Sequence, residues 1–158
     1  MFGTLEQVVD HRFVEQRFVC RVLLSLLCGV QGVATIAIDL NRTHATNPGW
    51  VRHARFHVVW QTLTMALLAV VEVGLIWGKI VGEGTGFYLA LVLAGLSPVA
   101  FLLAWVARKS FDGALSDPNG IPSLRVTFFR RERSLDMNMV AVVTAMLFLA
   151  VIGLAYRG

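Results

Sequence analysis

The chain has 158 residues, 56% of them hydrophobic and only 15% charged, with a formal net charge of +4 at pH 7. Soluble domains carry about 25% charged residues, so this composition excludes an ordinary water-soluble globule and points to lipid as the surrounding solvent. It also contains no Gly-rich phosphate loop and no nucleic-acid module, and no nucleic-acid partner is expected.

The first 21 residues hold Glu6, Asp10, Arg12, Glu15, Arg17 and Arg21 with no apolar run among them, so no cleavable signal peptide is evident. Thr4-Leu5-Glu6-Gln7 matches a capping box and predicts a helix starting near Leu5. Val8, Val9 and Phe13 give this helix an apolar side. It reads either as an interfacial N-terminal helix or as a solvated extension of the first membrane span.

That span covers about 22–39, near the lower end of the roughly 20 residues needed to cross a bilayer core. Ser25, Cys28, Gly32, Thr35 and Asp39 fall in one narrow wedge at helical spacing, which predicts a seam where another helix approaches closely. Cys20 and Cys28 are eight residues apart, wrong for a redox or zinc pair, and read as packing residues. Asp39 at the span's end needs a partner or water.

The connection Asp39-Leu40-Asn41-Arg42-Thr43-His44-Ala45-Thr46-Asn47-Pro48-Gly49-Trp50-Val51-Arg52-His53-Ala54-Arg55-Phe56-His57 gathers three of the four histidines between two apolar runs. Asn47 as N-cap and Pro48 as first residue predict where the second helix begins, ahead of a span over about 58–80. Helical phase places Trp50, His53, His57, Trp60, Gln61, Thr64, Leu68 and Val71 on one side, expected to face the bundle, with Arg52 and Arg55 opposite. Glu72 lies 15 residues beyond His57, roughly 22 Å deeper along the axis, near the level of Ser25, Cys28 or Gln31. An intramembrane carboxylate is either a functional group or a hydrogen-bonded structural one.

Residues 79–86 form a glycine-rich turn that makes the second and third helices antiparallel neighbours. The third span, about 87–107, carries the small-residue ridge Gly86, Ala90, Ala94 and a central Pro98, which kinks the helix unless a neighbour satisfies the freed carbonyl. The basic third loop opens with the turn cluster Asp117-Pro118-Asn119-Gly120-Ile121-Pro122. Beyond it, Leu124, Phe128 and Leu135 are expected on one helical face beside arginines, a segment suited to anionic lipid. The last span, about 139–156, adds the adaptable packing residues Met139 and Met146 after Met137.

The first and third loops together carry nine Lys/Arg, the termini and second loop five. The positive-inside rule therefore places the first and third loops in the cytoplasm and both termini outside, in an integral membrane protein of the plasma (inner) membrane.

Several chemistries are compatible with the first loop. His53 and His57, four residues apart, share a helix face; with His44 they make a candidate metal set that Asp39 would complete, suited to zinc, iron or copper. Asp39 beside His44 or His57 would make an acid–base pair. The alternative is a hydrogen-bonded interfacial network of histidine, tryptophan and asparagine.

The run Asp39-x-Asn41-x-Thr43-His44…Asn47-Pro48-x-Trp50-x-x-His53-Ala54-Arg55-Phe56-His57 resembles the first loop of an uncharacterised family of small four-helix membrane proteins, a likeness of about 19 residues plus the hydropathy layout. A fainter likeness, in the placement of Asp39 and Glu72, is to the EXPERA group of sterol isomerases and the sigma-2 receptor. That resemblance implies a bundle enclosing a sterol-like ligand with intramembrane acids.

The sequence thus predicts one all-α, four-transmembrane-helix domain over residues 1–158, with a polar pocket between its first two helices. Asn41, His44, Asn47, Trp50, His53, Trp60 and Gln31 are candidate ligand contacts, and Asp39, His57 and Glu72 candidate catalytic groups. Membrane lipids, a hydrophobic small molecule, and a membrane-protein partner or second copy are the expected partners. The competing readings are a ligand-binding protein or small subunit of a membrane complex, and an embedded isomerase-like or metal-assisted enzyme.

Overall fold

The structure, a computed structural model, describes residues 3–115, 123–128 and 131–157. Four helices, α1 (Gly3–Asp39), α2 (Arg52–Trp77), α3 (Glu83–Ala107) and α4 (Met137–Arg157), form an all-α bundle. Each contains a stretch long and apolar enough to cross a membrane. Consecutive helices run antiparallel, and α1 and α3 each pack on both α2 and α4, giving a square cross-section. The outside is apolar: Val33, Leu67, Val70 and Val106 are 67–70% exposed. Facing lipid, that belt carries no hydrophobic penalty.

α1 is a single helix of 37 residues, about 55 Å long at 1.5 Å per residue. The N-terminal segment is therefore a continuation of the first span, and it begins at Gly3 rather than near Leu5.

The predicted wedge on α1 is the seam with α2. At Gly32 the backbones come so close that a Cβ would lie 3.0 Å from the Ala69 Cβ and 3.6 Å from the Ala66 Cα. Without a hydrophobic drive between helices in lipid, such close packing of small residues holds the pair together. A second close approach joins α2 to α3, where a Cβ on Gly86 would collide with the Leu75 carbonyl oxygen. Ala90 and Ala94 continue that buried ridge.

The tight core occupies the half of the bundle nearest the termini. Leu24, Cys28, Ile76, Phe87 and Ala90 are fully buried there, with Cys20, Ile152 and Tyr156 nearly so. Phe87 and Tyr156 stack face to face with centroids 3.6 Å apart. Both cysteines are free and buried, as packing residues.

Arg21 closes this end. Its Nε and Nη2 donate to the Ile76 carbonyl at 3.1 and 2.6 Å. That oxygen lies in the last turn of α2, where carbonyls have no partner within the helix. The guanidinium also covers the Trp77 ring at 4.5 Å and stands 3.6 Å from Glu83. Trp77 Nε1 donates in turn to Ser25 Oγ at 2.8 Å, tying the end of α2 to α1 twice.

Pro98 sits inside an unbroken α3. Having no N–H, it leaves the Ala94 carbonyl without its usual donor. The Gln31 amide donates to that oxygen from α1 at 3.3 Å, which supplies the missing bond.

The third loop departs from expectation. After a short 3-10 turn at Arg108–Phe111, it forms an antiparallel hairpin of β1 (Leu124–Phe128) and β2 (Arg131–Leu135), with Leu124 opposite Leu135 and Val126 opposite Arg133. The alternation Leu-Arg-Val-Thr, with its β-branched pair, has a strand's period of two, and it prevails over the looser helical spacing of Leu124, Phe128 and Leu135. The expected turn at residues 117–122 lies outside the described residues. Asp136 then starts α4, its Oδ1 accepting from the Met139 N–H at 3.0 Å in N-cap fashion.

A leucine at position 32 forces α1 and α2 apart. Gly32→Leu is expected to destabilise the bundle by about 1–3 kcal/mol, the usual cost of overpacking. A fall in the detergent melting temperature, followed by circular dichroism, measures it; an unchanged midpoint contradicts the seam.

Candidate functional site

The other half of the bundle is open. Between α1, α3 and α4, two adjoining hollows of about 540 and 770 Å³ share Thr35, Ile38, Asp39, Met65, Ser97, Asn138, Ala141 and Val142. The inner one continues over Leu27, Val30, Ala34 and Phe148. The outer one reaches His44 and Trp50 of the first loop, Gln61, and Ala114 and Leu115 past α3.

The cleft therefore does not lie between the first two helices, as the sequence implied. There the approach at Gly32, Ala66 and Ala69 leaves no space, and α2 lends the cleft only Met65 and Gln61. Space opens instead where small side chains face one another: Ser97, Ala100 and Ala104 of α3, and Ala141 and Ala145 of α4. The walls are mostly apolar; Asp39, Asn138, Ser97 and Thr35 line the part that the hollows share, Gln61 the outer one, and Gln31 and Thr144 the inner one.

Asp39 is the acidic residue of this lining. Its carboxylate lies 3.9 Å from His44 Nδ1, beside the hydroxyl of the fully buried Thr62. Thr62 itself donates to the Val58 carbonyl at 2.8 Å. Thr43 Oγ1 is 2.6 Å from Asn41 Oδ1 and 2.7 Å from His44 Nδ1. If the hydroxyl proton goes to Asn41, an acceptor, the imidazole proton sits on Nδ1 and donates to Thr43. His44 also packs edge-on against Trp50, with centroids 5.3 Å apart.

The polar residues of the first loop satisfy one another. Asn41 Nδ2 donates to the Ala37 carbonyl at the end of α1, and its Oδ1 accepts from the Thr43 N–H at 2.8 Å. Asn47, 3% exposed, donates from Nδ2 to the Thr43 carbonyl and accepts the Gly49 N–H on Oδ1. With its side chain so used, Asn47 does not cap α2. The helix starts four residues later than expected for Pro48, at Arg52, with Val51 as its flanking residue. Arg55 folds back to donate to the Trp50 and Pro48 carbonyls rather than reaching outward.

Most of the predicted stripe on α2 is turned the other way, although Trp50 and Gln61 border the outer hollow. His53, His57, Trp60, Gln61 and Thr64 are exposed, while Thr62, Glu72 and Ile76 are buried against the bundle. The small residues Ala66 and Ala69 decide this rotation, because they allow the closest approach to α1. His53 and His57 pair with each other, Nε2 to Nε2 at 3.0 Å, and His57 leans on Trp60 at 5.8 Å. His57 is thus parted from Asp39, and His44 is parted from the other two histidines. Among the described residues no group of three or more His, Cys, Asp or Glu is arranged to hold a metal.

Glu72 is 2% exposed and is a side-chain hydrogen-bond partner of Cys28, at the depth expected. It belongs to the tight half and lines neither hollow. Gln31 lines the inner hollow with its amide committed to Ala94. Ser97 and Asn138 were not singled out from the sequence. A polar residue two positions after the Asp136 cap was the available signal for Asn138; for Ser97, beside Pro98, it was a hydroxyl in an otherwise aliphatic span.

No protein-family model, curated protein or solved structure matches this chain.

Asn47→Ala removes two bonds that hold the loop over the cleft. A loss of about 1–2 kcal/mol of local stability is expected from a buried amide of this kind. Hydrogen exchange at residues 43–50 should accelerate by about tenfold while the α1–α2 seam stays protected; unchanged exchange refutes the assignment.

Proposed function

We propose that this protein is a multi-pass membrane protein that binds a small amphipathic, lipid-like ligand in the cleft between α1, α3 and α4. One observation carries this reading: the hollows join aliphatic walls to a polar mouth formed by Asp39, Asn138, Ser97 and Gln61. Ligand sites are typically concavities of about 300–1,000 Å³ with mostly apolar walls and a few convergent polar groups. Each hollow falls in that range. An apolar tail fits along Leu27, Val30, Ala34 and Phe148, and a hydrogen-bonding headgroup meets Asp39 and Asn138.

A second reading is favoured by the Asp39–His44 contact. A carboxylate 3.9 Å from an imidazole at the mouth of an apolar cleft is a candidate acid–base pair for isomerising a hydrophobic substrate. In this form of the enzyme proposal His57 has no part, since it faces away, and Glu72 is structural. The loop charges support a plasma-membrane protein with the cleft mouth on the cytoplasmic side. The basic hairpin around Arg125, Arg133 and their neighbours would rest on anionic headgroups there. Membership of the four-helix family with the same first-loop run is part of the proposal, as is a role as a small subunit alongside a partner.

Filling the cleft tests the binding reading. Ser97→Phe and Ala141→Phe should retain the helical circular dichroism and detergent elution of the wild type. Native mass spectrometry is expected to show one defined lipid on the wild type and at least a tenfold loss of it in both variants. A wild type that carries no lipid, or variants that keep it, overturns the reading.

A further inference from the structure

The histidine pair on the outer face of α2 has no role in the cleft. We infer that His53 and His57 form a two-nitrogen site for a divalent transition metal of the copper(II) or nickel(II) type at the membrane surface.

The geometry makes the case. The residues are four apart in the first two turns of α2, and both are exposed. Their Nε2 atoms are 3.0 Å apart and their rings cross at 88°. Imidazole nitrogens bind such metals at about 2.0–2.1 Å. Two nitrogens 3.0 Å apart at those bond lengths subtend about 91–97° at the ion. That is close to the right angle of a square-planar or octahedral centre, the geometry of copper(II) and nickel(II).

In the metal-free protein one imidazole donates its Nε2–H to the other. Binding moves that proton to Nδ1 of the same ring and turns both lone pairs toward the ion. The proton count is unchanged, and the broad χ2 preference of imidazole permits the turn. Arg55, the cation two residues from each histidine, is held on the Trp50 and Pro48 carbonyls. Arg52 and the positive end of α2 oppose a dication. Copper(II), the tightest binder of the divalent series, is therefore the probe of choice. Water fills the remaining positions, since the described residues place no third His, Cys, Asp or Glu beside the pair.

The test uses the full chain in detergent, purified without a polyhistidine tag and titrated with Cu2+ alone. The expected result is one tight equivalent whose electron paramagnetic resonance spectrum shows two equatorial nitrogens. Tryptophan fluorescence should be quenched through Trp60, which lies 5.8 Å from His57. His53→Ala and His57→Ala should each weaken binding at least tenfold, while Trp60→Phe removes most of the quenching and leaves the affinity unchanged. Both histidines are exposed, so the variants keep the bundle, and their circular dichroism verifies it. If folded variants bind Cu2+ within twofold of the wild type, or the spectrum lacks the two-nitrogen signature, the pair is a hydrogen bond only.

Discussion

Everything in this bundle is set by how closely α1 and α2 can approach at Gly32. With no water to expel from between helices in lipid, attraction must come from packing and from buried polar bonds. Gly32 against Ala66 and Ala69 supplies the packing, and Glu72 beside Cys28 lies buried a turn away. That contact fixes the rotation of α2, which in turn buries Thr62 and Ile76 and sends His53, His57 and Trp60 outward. The histidine pair is on the surface because two alanines are not.

The same constraint explains why the bundle is tight at one end and hollow at the other. Near the termini, large side chains meet: Leu24, Ile76, Phe87 and Tyr156 fill the interior, and Arg21 ties α1 to the last turn of α2. Toward the first and third loops, α3 and α4 present alanine and serine to one another, and nothing of comparable size occupies the middle. The rigid end holds the helices at fixed spacing, so the small side chains at the other end become an opening instead of closing up.

The four spans, the small-residue seam, the buried cysteines and the depth of Glu72 were legible in the sequence, because hydropathy and helical spacing are local signals. The rotation of α2 was not. Its outward side is as rich in histidine and tryptophan as a functional face would be, and its inward side carries, besides Thr62 and Glu72, small alanines whose partner is a glycine on another helix. The late start of α2 was hidden for a related reason: Asn47 has the chemistry of a helix cap, but the Thr43 carbonyl and Gly49 N–H compete for it. The hairpin lost to a helical reading because Leu124, Phe128 and Leu135 satisfy both periods loosely. The polar run from Asp39 to His57 lies at the hollow end of the bundle. Most of its side chains hold the loop, however, while Asp39, His44 and Trp50 border the cleft.

If the cleft takes a ligand as proposed, the bond from Gln31 to the Ala94 carbonyl would also make it selective. Gln31 stands in the wall of the inner hollow, beside Pro98. A guest that drew its amide away would remove the side-chain donor that stands in for the missing proline N–H. Such a guest would have to bring a donor of its own, whereas one that slid past along the apolar walls would leave the bond intact. On that reading the proline, through Gln31, favours occupants with inert tails in the inner hollow and polar recognition by Asp39 and Asn138.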